Sequence, residues 1–193
     1  NFCDKYLRKE KVQWESVFLR WDRSKVLNQQ KLEDIPISKD QFDVKMMQEA
    51  IKESEKSGEW WRRIGAVLVK DNPPSLQASA GRGKIVIAGN NKDLPSDHTP
   101  YQVGEARDLF ATGERPDLAN TIHGEQSIIA KAAKEGISIK GASLYVTTFP
   151  CPICAKLIAC SGIQKLYFFE GWSNFDAKKV LESAGVKIIQ VSI

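Results

Sequence analysis

Gly136, Gly162 and Gly185 each close a run of helical character, and each is followed within a few residues by a short β-rich run. The helical runs are Gly124 to Glu135, Cys151 to Ser161 and Asn174 to Ala184, and the β-rich runs are Ala142 to Thr148, Lys165 to Glu170 and Val186 to Ile193. A glycine just past a helix takes up the left-handed conformation that ends it, with no β-carbon to object. Strand–helix alternation of this kind argues for parallel pairing with crossover helices, hence a layered α/β sheet. Upstream, Gly65 to Lys70 and Lys84 to Gly89 are β-rich runs joined by a loop containing proline and glycine, the pattern of an antiparallel hairpin. The expected sheet is therefore mixed.

The first part of the chain has a different texture. Trp14, Val17, Phe18 and Trp21 recur at helical spacing, one apolar stripe on an otherwise charged segment. This stripe is expected to pack on the main domain or on another subunit, and it suggests a homo-oligomer. The pattern breaks near Glu33-Asp34-Ile35-Pro36. A second helix is expected from Ser38 to Gly58, with Ser38 as its N-cap and Phe42, Met46, Ala50 and Ile51 along one face. Two regions result: a helical extension over residues 1–38 and a domain over 39–193. Residues 90–121 form a long polar insertion with weak periodicity.

A chain of 193 residues can bury a continuous core, and 42% apolar with 27% charged content is that of a globular protein. No run of eighteen apolar residues is present to span a membrane. The N-terminus has no apolar h-region and no Met, which is compatible with a processed chain or one cut from something longer. Four cysteines are too few for a disulfide scaffold, so they are expected as reduced thiols in the cytoplasm. The net charge of +4 is compatible with a phosphate-bearing ligand but short of the basic footprint of a nucleic-acid binder.

The chemistry is concentrated in Thr-Phe-Pro-Cys151-Pro-Ile-Cys154-Ala. Pro150 ends a strand and Pro152 suits a first helical turn, where its missing N–H is not needed. Two thiols three residues apart in that turn point to one side, and the electropositive helix start favours thiolate. Taken alone, the pair fits a redox dithiol as well as a zinc clip. His123 decides between them, because it opens the neighbouring helix, and crossover helices start at the same edge of a sheet. His123, Cys151 and Cys154 then supply three ligands and leave the fourth zinc position open, the mark of a catalytic site. Glu125, close by and not needed as a ligand, can move protons there. Cys160 lies about 180° from Cys151 around the helix and is expected as a small buried residue. Cys3 and His98 are not expected in the site.

His123-Gly-Glu125 followed by Pro150-Cys151-Pro-Ile-Cys154 resembles the H-x-E…P-C-x-x-C signature of zinc-dependent deaminases of bases and nucleotides. From about Phe42 onward the chain looks like the deoxycytidylate deaminase branch of the cytidine deaminase-like superfamily. Further likeness lies in Arg63-Ile-Gly-Ala66, Gly89-Asn-Asn91, Thr121-Ile-His-Gly-Glu-Gln126, Leu144-Tyr-Val-Thr-Thr148 and Ser161-Gly-Ile163. The resemblance implies a three-layer α/β/α sandwich with a five-stranded mixed sheet, and hydrolytic deamination of a cytosine ring in a free nucleotide, most simply dCMP. It implies zinc on His123, Cys151 and Cys154, with Glu125 carrying protons from water to the ring nitrogen and the departing ammonia. Asn91, or its neighbour Asn90, matches a sugar-contacting asparagine, and Arg63 matches a position that reaches towards a 5′-phosphate.

Two residues and one loop depart from the pattern. Gly124 stands where alanine is usual, and Ser127 stands where the branch has asparagine, one turn after His123 and near the substrate. Lys-Asp-Leu-Pro95 replaces a short glycine-containing turn. The insertion carries no cysteine, so a second structural zinc is not expected. Alternative readings are a deaminase of tRNA or single-stranded nucleic acid, or a non-catalytic zinc-stabilised interaction module. The long connection before His123 speaks against the first, and an intact Glu125 against the second.

Overall fold

Along each central strand, successive side chains enter two different cores. Ala66 and Leu68, Leu144 and Val146, and Leu166 and Phe168 join one buried cluster, while Val67 and Val69, Tyr145 and Tyr167 join the other. A strand alternates its side chains between faces, so this division marks a sheet covered on both sides. The computed structural model describes residues 32, 34–59, 62–72, 75, 82–103, 119–171 and 177–193. The apolar stripe at Trp14 to Trp21 lies outside the described residues.

The described strands are β1 (Ile37–Ser38), β2 (Gly65–Asp71), β3 (Gly83–Asn90), β4 (Lys92–Asp93), β5 (Thr121–Ile122), β6 (Ser143–Thr148), β7 (Lys165–Glu170) and β8 (Lys187–Val191). The described helices are α1 (Gln41–Glu55), α2 (Thr99–Val103), α3 (Gly124–Glu135), α4 (Pro152–Ser161) and α5 (Ala177–Ser183). The main sheet runs β1-β8-β7-β6-β2-β3. The hairpin β2–β3 and the pair β2–β6 are antiparallel, whereas β6–β7, β7–β8 and β1–β8 are parallel. The mixed sheet is thus as expected for five strands, with β1 as a two-residue sixth at one edge. The insertion contributes a second ribbon, β4 against β5, which pairs Lys92 with Ile122 and Asp93 with Thr121.

Helix α1 covers one face through Met46, Met47 and Ala50, and α3, α4 and α5 cover the other through Ile128, Ala132, Ile158, Ala177 and Leu181. Gly136 and Gly162 cap α3 and α4 in the left-handed conformation, at φ 66° and 84°. Two expectations need correction. Asp40, not Ser38, caps α1, its carboxylate accepting from the amides of Phe42 and Asp43. Ser38 is drawn into β1 instead, beside Val191, and its hydroxyl donates to Asp43. Cys160 is exposed, not buried, because Cys154, Ala155 and Ile158 form the inward face of α4 and residue 160 falls on the far side.

Candidate metal centre

Two helix starts converge at one edge of the sheet. Cys151 is the N-cap of α4, where Pro152 opens the first turn and the amide of Cys154 donates to the Cys151 sulfur at 3.5 Å. His123 is the N-cap of α3, and its own amide donates to Oε1 of Gln126 at 2.9 Å. Each cap holds its ligand by the chain's own hydrogen bonds. His123 Nδ1 lies 3.5 Å from Cys151 Sγ and 3.3 Å from Cys154 Sγ. All three ligand atoms fall within 4.8 Å of one another.

These spacings test the fit to zinc. Bonds of about 2.3 Å to sulfur and 2.0–2.1 Å to nitrogen, at tetrahedral angles, place S and N about 3.5 Å apart. The two N–S separations match, and two thiols with one imidazole are the soft donors zinc prefers. Without metal, the Cys154 thiol donates to the Cys151 sulfur, and this bond, with His123 beside it, lowers Cys151 to about 4 against the opposing effect of burial. Cys154, which keeps its proton in that bond and is buried, is pushed up.

Glu125, on the first turn of α3, is 2% exposed and faces the Cys154 thiol. Burial raises its carboxyl above the ordinary value, opposed by its own backbone amide and by His123. Its Oε2 has no hydrogen-bond partner among the described residues. A buried oxygen left in this way is costly unless something else bonds it, and this one lies beside the three candidate ligands.

A sequence model of the family described as the cytidine and deoxycytidylate deaminase zinc-binding region matches residues 40–170, well over half of the chain. The chain belongs to this family. The deoxycytidylate deaminase of Enterobacteria phage T2 is 44% identical over 113 residues, 55% of this chain and 57% of the phage protein. That of Enterobacteria phage T4 is 44% identical over 79 residues, 37% of this chain and 38% of its own length. The matched segments thus span less than two thirds of these relatives. Among solved structures, the apo dCMP deaminase of cyanophage S-TIM5 aligns with a TM-score of 0.57 at 27% identity, covering 79% of this chain and 99% of the phage chain. The same cyanophage enzyme in complex with dCMP and dUMP gives 0.56 at 26% identity, covering 79% and 98%.

Within this deaminase fold the other candidates take distinct places. Arg63, just before β2, is exposed, and its guanidinium makes no hydrogen bond or ion pair among the described residues. Asn91, just after β3, is 3% exposed, and its amide bonds the segment leading into β2. Ser127 is half-buried on α3 with its hydroxyl turned towards Gly89 at the end of β3. His98 is exposed and stands outside the ligand group. Sequence reasoning missed the polar residues behind these. Ser57 bonds both the carbonyl and the side chain of Asn91. Thr121, two residues before His123, lies within hydrogen-bond reach of the buried carboxylates of Glu59 and Asp93, at 3.0 and 2.8 Å. Ser57-Gly-Glu59 reads as an ordinary helix exit, and nothing local signals that its partners lie beyond β3.

Proposed function

We propose that the chain is a zinc-dependent deaminase that hydrolyses a free pyrimidine nucleotide, dCMP plus water giving dUMP plus ammonia. The observation that carries this reading is the set of three convergent ligands with a buried, non-ligating Glu125 against it. The names of the phage relatives and the nucleotides bound by the cyanophage enzyme support the choice of base and sugar. Such a reaction on a free metabolite also fits a cytoplasmic protein.

In this reading His123, Cys151 and Cys154 hold the metal, and zinc when bound supplies an acidified water beside the ring. Glu125 would carry both protons of that water in turn, the first to the ring nitrogen and the second to the departing amine. Its burial suits the task, since a raised carboxyl pKa brings acid and base forms closer in energy at neutral pH. Arg63 offers a guanidinium, exposed and without a partner among the described residues, that can hold a phosphate through two parallel hydrogen bonds. That contact lies away from the reacting carbon, so its binding energy serves to orient the ring. Asn91 keeps one amide hydrogen uncommitted among the described residues, and Ser127, the candidate substrate contact on α3, turns its hydroxyl towards Gly89.

The test is ammonia release from a panel of cytosine, adenine and guanine nucleosides and nucleotides. The expected result is deamination of dCMP with a kcat/KM at least about tenfold above that of deoxycytidine, and a narrower gap in Arg63→Ala. Glu125→Gln should keep its zinc while turnover falls by at least about a hundredfold. Near-normal activity in that variant would remove Glu125 from the proton path, and turnover of adenine nucleotides alone would overturn the choice of base.

A further inference from the structure

The side chain of Asn91 is engaged on both of its faces by one short stretch of backbone. Its Oδ1 accepts from the Ile64 amide at 2.7 Å and lies 2.9 Å from the Ser57 hydroxyl. Its Nδ2 donates to the Arg62 carbonyl at 2.7 Å. The Arg62 carbonyl and the Ile64 amide are the peptide groups on either side of residue 63. A planar carboxamide, with one acceptor and one donor, can bridge such a pair as a peptide of a neighbouring strand would. The main chain completes the grip, since the Asn91 amide donates to the Ile64 carbonyl at 3.0 Å and Ser57 Oγ lies 2.7 Å from the Asn91 carbonyl.

The residue gripped in this way is Arg63, whose backbone is fixed while its guanidinium is exposed and unpaired among the described residues. Arg82 shows the contrast. Its guanidinium is tied to Asp40, Asp43 and the Tyr167 hydroxyl, which leaves it a scaffolding role. The clasp also touches the metal-bearing helix, for a β-carbon at Gly124 would sit 3.4 Å from the Ile64 carbonyl oxygen and 3.6 Å from the Asn91 nitrogen. The hydrogen-bonded unit around residue 63 thus lies beside the turn that carries His123 and Glu125.

We propose that Asn91 is a positioning residue for Arg63: its carboxamide clamps the peptide groups on both sides of Arg63 and so sets where the guanidinium meets the nucleotide's phosphate. This rests on the phosphate reading of Arg63 given above. The role needs an amide, because aspartate at 91 would turn an oxygen, with no hydrogen to donate, onto the Arg62 carbonyl.

The experiment is a double-mutant cycle on the zinc-loaded full chain, reading kcat/KM for dCMP and deoxycytidine in wild type, Asn91→Ala, Arg63→Ala and the double variant. Asn91→Ala should lose at least about tenfold more kcat/KM on dCMP than on deoxycytidine, the excess chiefly through KM. In the Arg63→Ala background the same replacement should cost dCMP no more than it costs deoxycytidine. Ile64 amide exchange, followed by NMR, should speed up by at least about tenfold in Asn91→Ala with zinc content unchanged. An Asn91 effect on dCMP that is undiminished without Arg63, or equal on both substrates, overturns the positioning role and makes Asn91 a sugar contact or plain scaffold. Equal wild-type values for the two substrates would instead overturn the phosphate reading, an outcome kept separate because Ile64 exchange reports the clasp by itself. Should Asn91→Ala fail to fold, Asn91→Asp runs the same cycle. The charge it adds repels phosphate with or without Arg63 and so cannot imitate the expected non-additivity.

Discussion

At Gly65 a β-carbon would come within 1.9 Å of the Ala50 carbonyl oxygen and 2.4 Å of the Ser54 nitrogen, because α1 lays its backbone directly on the start of β2. Neither obstacle is the flexible end of a side chain, so Gly65→Ala must push the helix off the sheet. We expect a loss of about 3 kcal/mol or more, at the upper end of what overpacking costs. Gly124 makes the opposite case, since its nearest neighbours to a β-carbon are the 3.4 and 3.6 Å contacts to Ile64 and Asn91. Alanine there restricts the unfolded chain at no steric cost, so Gly124→Ala should gain about 0.4–1 kcal/mol. Urea midpoints of the two variants check both signs, and a destabilised Gly124→Ala would mean that the helix start cannot accept even ordinary contact. The same scale explains which candidate residues could be read in advance. His123, Cys151 and Cys154, which the fold brings together, and the buried Glu125 are marked by residue type and short spacing. The partners of Asn91 lie 27 to 34 positions away in the chain, where no local pattern reaches. Cys160 was misjudged because cysteine's usual burial was set above its place on the helix, which faces away from Cys154 and Ile158.

Helix ends set the geometry of the metal centre, and helix ends were the most legible elements. Proline at the first turn of α4 and glycine after α3 and α4 mark their boundaries within a residue or two of those observed. The N-cap of α1 was less legible, since Ser38 and Asp40 both qualify by type, and only pairing with β8 decides that Ser38 is strand. Because His123 caps α3 and Cys151 caps α4, a bound ion would tie the starts of two separate elements together. Metal held at a thousand times its dissociation constant adds about 4 kcal/mol, roughly 10 °C for a chain of this size. The protein as purified should contain about one zinc per chain, and a chelator should lower its melting temperature by that order. Cys154→Ala should start at the lower temperature and show no further shift with chelator. A chelator shift that persists in Cys154→Ala would place the stabilising metal elsewhere.

Across the whole molecule the sheet separates two kinds of polar residue. The metal centre lies at the starts of α3 and α4, while under α1 a fully bonded group holds the opposite core together. There Tyr145 donates to Asp43 at 2.7 Å, Arg82 pairs with Asp43 at 2.9 Å, and the rings of Tyr145 and Tyr167 stack 4.3 Å apart. Strand–helix alternation announced a layered sheet, but Asp43, polar within the buried face of α1, meets its partners Tyr145 and Arg82 through contacts no local pattern reaches. The cluster gives the fold an alkaline limit. Burial, then the bond to Asp43, raises the Tyr145 phenol well above its ordinary 10.0, with the nearby Tyr167 acting the same way and Arg82 opposing. The unfolded chain therefore ionises this phenol near pH 10 while the folded chain keeps it neutral. Its contribution is complete below about pH 10 and is lost as pH rises further, by up to about 1.4 kcal/mol per pH unit. Lysines and other tyrosines titrate in the same range, so the comparison needed is with Tyr145→Phe, which removes this group alone. That variant should be about 1 kcal/mol less stable at pH 8, having lost the bond to Asp43. Between pH 10 and 11 its stability should fall less steeply than that of the wild type, so that the two urea midpoints converge. Parallel curves over that interval would show that Tyr145 ionises as readily in the fold as outside it.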